Sequence, residues 1–393
     1  MKKKLLSLLT SIIVVAFVLT SCGTKQTSNN SGTTSSSDKE GDEIKIGAVI
    51  PITGDISTFG KSTKNGIELA VEQVNSAGGI NGKKIKLIVQ DDENKPEQGV
   101  AVLQRLINND KVVGVIGSVS SKVSIPMAAV ATQNKIPLIS GASTNPKFTS
   151  EKGNEYAFRA CFIDPFQGTV IAKFATENLK AKTAAVLYDV GNDYTVGLAE
   201  YFKAAFEKSG GKVTAYESYN NGETDFSAQL TNIKKNPPDV IVLTDYYQNV
   251  GLIAKQARQL GLKSVFLGGD GWDSPDLVKI GGTAVEGGYF CNHYSKDDTS
   301  PEVVKFINDY KAKYNEVPDA LAALGYDAAN MMFEAIKKAG STDGEKIAEA
   351  LKKIDLKAVT GEIKLDENRN PIKPAVMLKI ENGKQVFVGK VNP

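Results

Sequence analysis

The chain has 393 residues, of which 23% are charged and 41% apolar, and its formal net charge is +2. So even a balance excludes a nucleic-acid surface built on a basic excess. A single histidine, His293, nearly excludes zinc sites of the His-rich type and Ser-His-Asp triads elsewhere in the chain.

Lys2, Lys3 and Lys4 precede an apolar run over 5–19, which is too short for a confident membrane span and reads as a signal peptide. Without those lysines the chain carries −1. The run ends in Leu19-Thr20-Ser21-Cys22, which resembles the lipobox of bacterial lipoproteins. The resemblance implies cleavage after Ser21 and lipidation of Cys22; an ordinary signal peptide with a chance cysteine is the alternative. Residues 23–43 are almost all small, polar or charged, so they make no core and read as a flexible tether. The expected divisions are a signal over 1–21 and a lipidated cysteine with tether over 22–43. About 350 residues then remain, the usual size of two domains.

Residues 44–50 read as a strand. The loop 51–60 after it places Phe59 as an exposed aromatic near the strand's carboxyl end. A helical period over 62–76 stops at Gly78-Gly79-Ile80-Asn81-Gly82. A strand over 85–90 closes on Asp91-Asp92, and a helix follows over 94–109. The most informative stretch comes next. A strand over 112–116 runs into Gly117-Ser118-Val119-Ser120-Ser121, a helix occupies 124–134, and a strand over 136–139 runs into Ser140-Gly141-Ala142-Ser143-Thr144-Asn145-Pro146. This is a βαβ pattern, so both hydroxyl-rich loops emerge on one edge of a parallel sheet, where open α/β sheets bind ligands. Free hydroxyls and backbone N–H groups with no nearby base suit a small anion such as a carboxylate. They read as half of a cleft.

A strand over 156–161 leads to a helix with Asp164 as its N-cap and Pro165 at the first helical position. A second series follows. Strands over 183–188, 213–219, 239–243 and 265–267 alternate with helices over 195–209, 226–235 and 249–260. Three of these strands end in the polar loops 189–194, 244–247 and 268–272. A strand over 285–292 carries the chain back. Helices over 301–314, 320–339 and 344–353 come next, then antiparallel strands over 361–366, 375–381 and 385–391. Two similar α/β lobes are expected, one from 44–162 with 292–360, the other from 163–291 with 361–393. Repeated crossings imply a hinge. Cys161 and Cys291 either pair or stay as buried thiols, and free thiols are expected.

The segments Pro51-x-Thr53-Gly54, Asn65-Gly66-x-Glu68-Leu69-Ala70, Asn75-x-Ala77-Gly78-Gly79-Ile80-Asn81-Gly82, Gly117-x-x-x-Ser121, Ala142-x-Thr144-Asn145-Pro146, Tyr194-Thr195-x-Gly197 and Gly325-Tyr326-Asp327-Ala328 resemble the periplasmic binding proteins for branched-chain amino acids, of the leucine/isoleucine/valine type. The likeness covers nearly all of 44–391. It implies a type I binding-protein fold, with two doubly wound lobes joined by a multi-strand hinge. It implies an extracytoplasmic lipoprotein, anchored at the outer face of the cell membrane, that gives an L-amino acid to the permease of an ABC importer. A monomer is expected, with no cofactor and no metal.

By the same resemblance, Ser121, Ala142 and Thr144, with Ser120 and Ser143 beside them, hold the ligand's carboxylate. Asp270 holds its ammonium, and Tyr194 and Tyr246 are further second-lobe contacts. Phe59 stands where some members have tyrosine. Phe59, Trp272, Tyr194, Tyr246 and Phe290 are candidates either for an apolar side-chain pocket or for lobe core. Asp189 and Asn192 are candidate rim residues. Ser121 and Thr144 also suit helix capping, and Asp270 suits a turn. A ligand-sensing receptor module is the alternative function. An amide, urea-like molecule, short peptide or aromatic acid is the alternative ligand. An enzyme is disfavoured because no nucleophile has a base nearby. No Gly-x-x-x-x-Gly-Lys-Ser/Thr motif is present, and no Gly-x-Gly-x-x-Gly follows the first strand.

Overall fold

The computed structural model describes residues 43–393. The signal segment, Cys22 and the tether before Glu43 lie outside the described residues. No described helix is long and apolar enough to cross a membrane.

The first lobe opens as a strand–helix series: β1 (Glu43–Ile50), α1 (Ser57–Ser76), β2 (Lys84–Asp91), α2 (Pro96–Arg105), β3 (Gly114–Gly117), α3 (Ser121–Gln133), β4 (Leu138–Ser140), α4 (Lys147–Ser150) and β5 (Ala157–Arg159). The five strands lie parallel in the order β2-β1-β3-β4-β5. The second lobe follows with α5 (Asp164–Lys173), β6 (Thr183–Asp189), α6 (Asp193–Lys208), β7 (Lys212–Tyr219), α7 (Ser227–Lys234), β8 (Val240–Leu243), α8 (Tyr247–Gln259), β9 (Val265–Gly268), α9 (Pro275–Gly281) and β10 (Tyr289–Asn292). The chain then returns to the first lobe through α10 (Pro301–Tyr314), α11 (Ala320–Ala339), α12 (Gly344–Leu351), β11 (Asp355–Ala358) and β12 (Gly361–Lys364). It ends in β13 (Ala375–Glu381) and β14 (Lys384–Val391), which add antiparallel to the second sheet, of order β14-β13-β10-β9-β8-β6-β7.

The central strands are apolar because helices cover both faces of each sheet. Ile46, Ala48, Val115 and Ile116 are buried in one lobe, and Val186, Leu187, Ile241 and Val242 in the other. Three segments, 160–163, 293–300 and 365–374, connect the lobes. Lys373, buried in the third, donates from Nζ to Ala160 O in the first at 2.9 Å and also to Thr360 Oγ1. Burial pushes its pKa down to about 8, against the pull of the Asp327 carboxylate.

Several expectations are corrected. Helix α1 begins at Ser57, so Phe59 lies in its first turn and is only 2% exposed. It packs edge-on against Tyr247 (5.0 Å) and Tyr246 (5.8 Å) of the other lobe. Asp164 is the first helical residue rather than the cap, which is Ile163, and its carboxyl is buried. Only Tyr289–Asn292 of the expected strand over 285–292 pairs, because a 3-10 turn ends at Val285 and Gly287 adopts φ +74°. Helix α9 and strand β11 were not expected. Cys161 and Cys291 are separate buried thiols, as expected.

Helices α1 and α11 touch at backbone distance. A Cβ at Gly66 would lie 2.0 Å from Ala322 O, and one at Gly325 would lie 2.5 Å from Thr63 O. This contact fixes the frame that carries both Phe59 and the start of α11. Gly66→Ala is expected to destabilise the protein by about 1–3 kcal/mol through overpacking. The readout is a lower urea midpoint at unchanged slope; an unchanged midpoint would show that the helices separate freely.

Candidate functional site

The carboxyl-terminal edges of the two sheets face each other across a small cavity with about 260 Å³ of atom-free space. The first lobe contributes Phe59, Val119, Ser121, Ala142 and Leu321 to its wall, and the second contributes Tyr194, Tyr246, Asp270 and Gly271. The free volume of the cavity itself is about 20 Å³, well below the roughly 300–1,000 Å³ of most small-molecule pockets, so the lobes must part to admit a solute.

On the first-lobe side, Ser121 is the first residue of α3, where free N–H groups and the helix dipole favour an anion. Its Oγ accepts from Asn145 N–H at 3.2 Å and from Ser143 Oγ at 3.3 Å, which leaves its own hydroxyl proton uncommitted. Among the described residues the buried Thr144 Oγ1 has no hydrogen bond of normal geometry, and the Asp164 carboxyl lies beside it. The neighbouring hydroxyls are spent on bracing the loops. Ser118 donates to Asp92 and Ser120 to Asn94, both at 2.6 Å, and Ser140 donates to Ser118 O at 2.6 Å. Arg159 donates to Ser143 O at 2.6 Å and to Asn145 O at 2.9 Å, which fixes the second hydroxyl loop.

On the second-lobe side, Asp270 follows β9 in a short 3-10 turn and is 8% exposed. Its Oδ1 accepts from Tyr194 OH at 2.8 Å. Its Oδ2 lies 2.8 Å from His293 Nε2. Its backbone N–H donates to Gln167 Oε1 at 2.7 Å, and Gly271 N–H donates to Tyr194 OH at 3.1 Å. Burial pushes the His293 imidazole below the ordinary histidine range, although Asp270 pulls it upward. Burial thus favours the neutral ring, which donates from Nε2 to the carboxylate. Tyr194 and Tyr246 stack at 5.3 Å, and Phe59 meets Tyr246 edge-on.

The lobes meet on both flanks of the cavity. Thr58 donates to Asp276 at 2.9 Å, and Ala320 N–H at the start of α11 donates to Asp273 at 2.8 Å. Elsewhere Asn145 Nδ2 donates to Asp193 O at 2.7 Å.

Phe59, Ser121, Ala142, Tyr194, Tyr246 and Asp270 are thus brought together on one wall-lined space. Ser143 and Thr144 lie buried behind it, and Ser120 points to Asn94. Trp272 turns away, into the second-lobe core. It stacks on Phe290, and its Nε1 donates to Leu243 O at 3.0 Å. A Cβ at Gly268 would come within 2.1 Å of that indole, so the glycine makes the inward turn possible. Asp189 and Asn192 are buried braces rather than rim residues. Asp189 accepts from Gly191 N–H, and Asn192 caps α6. Sequence reasoning missed Val119, Gly271, Leu321 and His293. Being the chain's sole histidine was a signal for the last of these, and it was read only as an exclusion.

Asp164 lies fully buried behind Thr144, whose carbonyl accepts from Asp164 N–H at 3.0 Å. Burial pushes its carboxyl up to about 8; the Asp270 charge adds to the rise and the Arg159 guanidinium opposes it. The folded value lies above the unfolded one, so the folded chain holds the proton more tightly. The stability this group supplies is complete below the unfolded value, about 4, and is lost as pH rises through about 8. Asp164→Asn keeps the shape and cannot ionise. Its melting temperature is expected to match or exceed that of the parent at about pH 9, and the gap should narrow toward about pH 5. Uniform destabilisation at both pH values, read by calorimetry, would count against a protonated Asp164.

A family model described as periplasmic binding protein matches residues 43–385. A leucine-binding protein from Thermotoga maritima is 41% identical and aligns with 89% of this chain and 99% of its own, with TM-score 0.85. The substrate-binding protein of a branched-chain amino acid transporter from Streptococcus pneumoniae, solved with isoleucine, is 33% identical. It covers 89% of this chain and 100% of its own, with TM-score 0.84. A Leu/Ile/Val-binding protein homologue from Brucella suis is 36% identical over 344 residues, 87% of this chain and 91% of its own.

Proposed function

This chain belongs to the periplasmic binding protein family and is the extracytoplasmic solute-binding component of an ABC importer, and on that premise we propose that its solute is a single L-amino acid with an apolar, branched side chain. It captures the solute between its lobes for delivery to the permease and performs no chemistry on it.

The observation that carries the amino-acid reading is the pairing of opposite polarities across the cavity. Asp270 presents a buried carboxylate on one side, and the Ser121 hydroxyl at the start of α3 faces it from the other. A zwitterion satisfies both. Its ammonium meets Asp270, and its carboxylate meets Ser121 and the helix end, with Thr144 behind. Phe59, Val119, Leu321 and the stacked tyrosines leave an apolar remainder for the side chain. A simple aromatic acid fits poorly, because it has no cation to set against Asp270. Leucine, for which one relative is named, and isoleucine, with which another was solved, have that polarity.

We further propose that Cys22 carries the lipid anchor and holds the protein, as a monomer, at the outer face of the membrane. Cys22→Ala is expected to release the protein from the membrane fraction and to abolish labelling by a palmitate analogue. Labelling that persists in the variant would place the anchor elsewhere or deny it.

Mass spectrometry of solute released from purified protein, with a thermal-shift screen of amino acids, identifies the ligand. Asp270→Asn is expected to weaken leucine binding by about 1.5–3 kcal/mol, roughly ten- to a hundredfold, with the melting curve intact. Unchanged affinity by titration calorimetry rejects the ammonium role. Desamino-leucine should bind the parent far more weakly than leucine does; equal binding would point to an acid as the solute.

A further inference from the structure

Asp270 sits two residues beyond Gly268 at the end of β9, and His293 directly follows Asn292, the last residue of the adjacent parallel strand β10. The register pairs Gly268 with Phe290, so both side chains emerge on the same sheet edge. His293 also opens the second of the three segments joining the lobes. Its ring stacks on Phe162, in the first of them, at 3.6 Å between centroids and 28° between planes. Its side chain is 1% exposed, and its second nitrogen, Nδ1, has no hydrogen-bond partner among the described residues. The imidazole is therefore fixed in plane by Phe162 and in direction by Asp270.

We infer that His293 is a positioning residue, whose neutral ring holds Asp270 as an uncancelled anion for the solute's ammonium and whose protonation at Nδ1 would turn that anion into half of an internal ion pair and release the solute. The inference rests on the ammonium role proposed for Asp270. A neutral N–H satisfies one carboxylate oxygen without neutralising the charge, as the Tyr194 hydroxyl does for the other. An imidazolium 2.8 Å away supplies the cation that the solute otherwise brings. Bound ammonium and ring proton thus compete for one carboxylate.

The charges around His293 are few. Asp270 and Asp273 face it from the turn after β9, and Lys373 faces it from the third connecting segment, with Asp327 on α11 offsetting that lysine. The neighbouring Cys161 is held protonated by burial. A solute cation at Asp270 must lower the ring's proton affinity, so by linkage affinity for the solute falls as pH drops through the imidazole's titration. That titration lies below the ordinary histidine range, so affinity stays full at neutral pH.

The tests use the full folded protein with leucine as the probe. His293→Gln offers an N–H to the same oxygen and cannot ionise. From about pH 7.5 to about pH 4.5 the parent's dissociation constant is expected to rise by several-fold, up to about tenfold, more than that of His293→Gln. The difference between the two slopes is the readout, because Asp164 and other carboxyls titrate in both proteins. Since the chain has one histidine, the ring proton resonance of untagged protein assigns itself. Saturating leucine should lower its midpoint by about one unit, the same tenfold read from the other side. Identical slopes in the two proteins overturn the inference, as does a midpoint that leucine does not move or a ring that stays neutral until the protein unfolds. Asp270→Asn separates the two readings. If it binds leucine normally, the ammonium role itself is wrong; if it loses binding while the slopes coincide, only the role of His293 fails.

Discussion

A carboxylate taken out of water without a counter-ion is the condition on which the site is built. Burying an unpaired charge is costly unless hydrogen bonds and a partner of opposite sign compensate it. Asp270 has the first and lacks the second. Tyr194 and His293 each give it a neutral donor, and Gln167 pins its backbone. The turn therefore holds the carboxyl in a fixed place, and under the proposed function the compensating cation comes with the solute. On the opposite wall the start of α3 and the Ser121 hydroxyl have the reverse need. Neither lobe alone answers both, so the zwitterion proposed as solute would stabilise the closed arrangement through contacts it makes only there.

The surroundings keep that geometry fixed. Close approach of α1 to α11, allowed by Gly66 and Gly325, holds Phe59 and Leu321 on one side of the cavity. The hydroxyl loops are tied down by Arg159, Asp92 and Asn94, so Ser121 does not have to brace its own neighbourhood. Asp273 on the N-terminus of α11 and Thr58 on Asp276 then join the lobes beside the cavity, with carboxylates facing N–H or O–H donors.

Much of this was legible in the sequence. The alternation of apolar runs with helical periods gave the order of nearly all strands and helices, because strands covered on both faces are apolar throughout. The places of Ser121, Asp270 and Tyr194 on the cavity wall were legible through the family resemblance. Trp272 was not. An aromatic two residues past Asp270 can turn into the cavity or back beneath the sheet, and the space left by Gly268 decides it. Phe59 was expected in an exposed loop, since the buried partners that extend α1 over it, Tyr246 and Tyr247, come from the other lobe. Leu321 carries no local mark, as only tertiary packing brings the start of α11 to the cavity. Helix α9 did leave a trace, in the Ser274 cap followed by Pro275.

The interleaving of the two lobes along the chain has a consequence for biosynthesis. The first sheet is complete once Arg159 has been made, and α2 and α3 from the same stretch cover one of its faces, yet α11, which packs beside α1 on the other, comes only after the whole parallel part of the second sheet. That second sheet in turn waits for β13, which pairs with β10. One face of the first lobe and one edge of the second sheet therefore stay open until late in synthesis, and the two-lobed form is completed only once almost the whole chain is available.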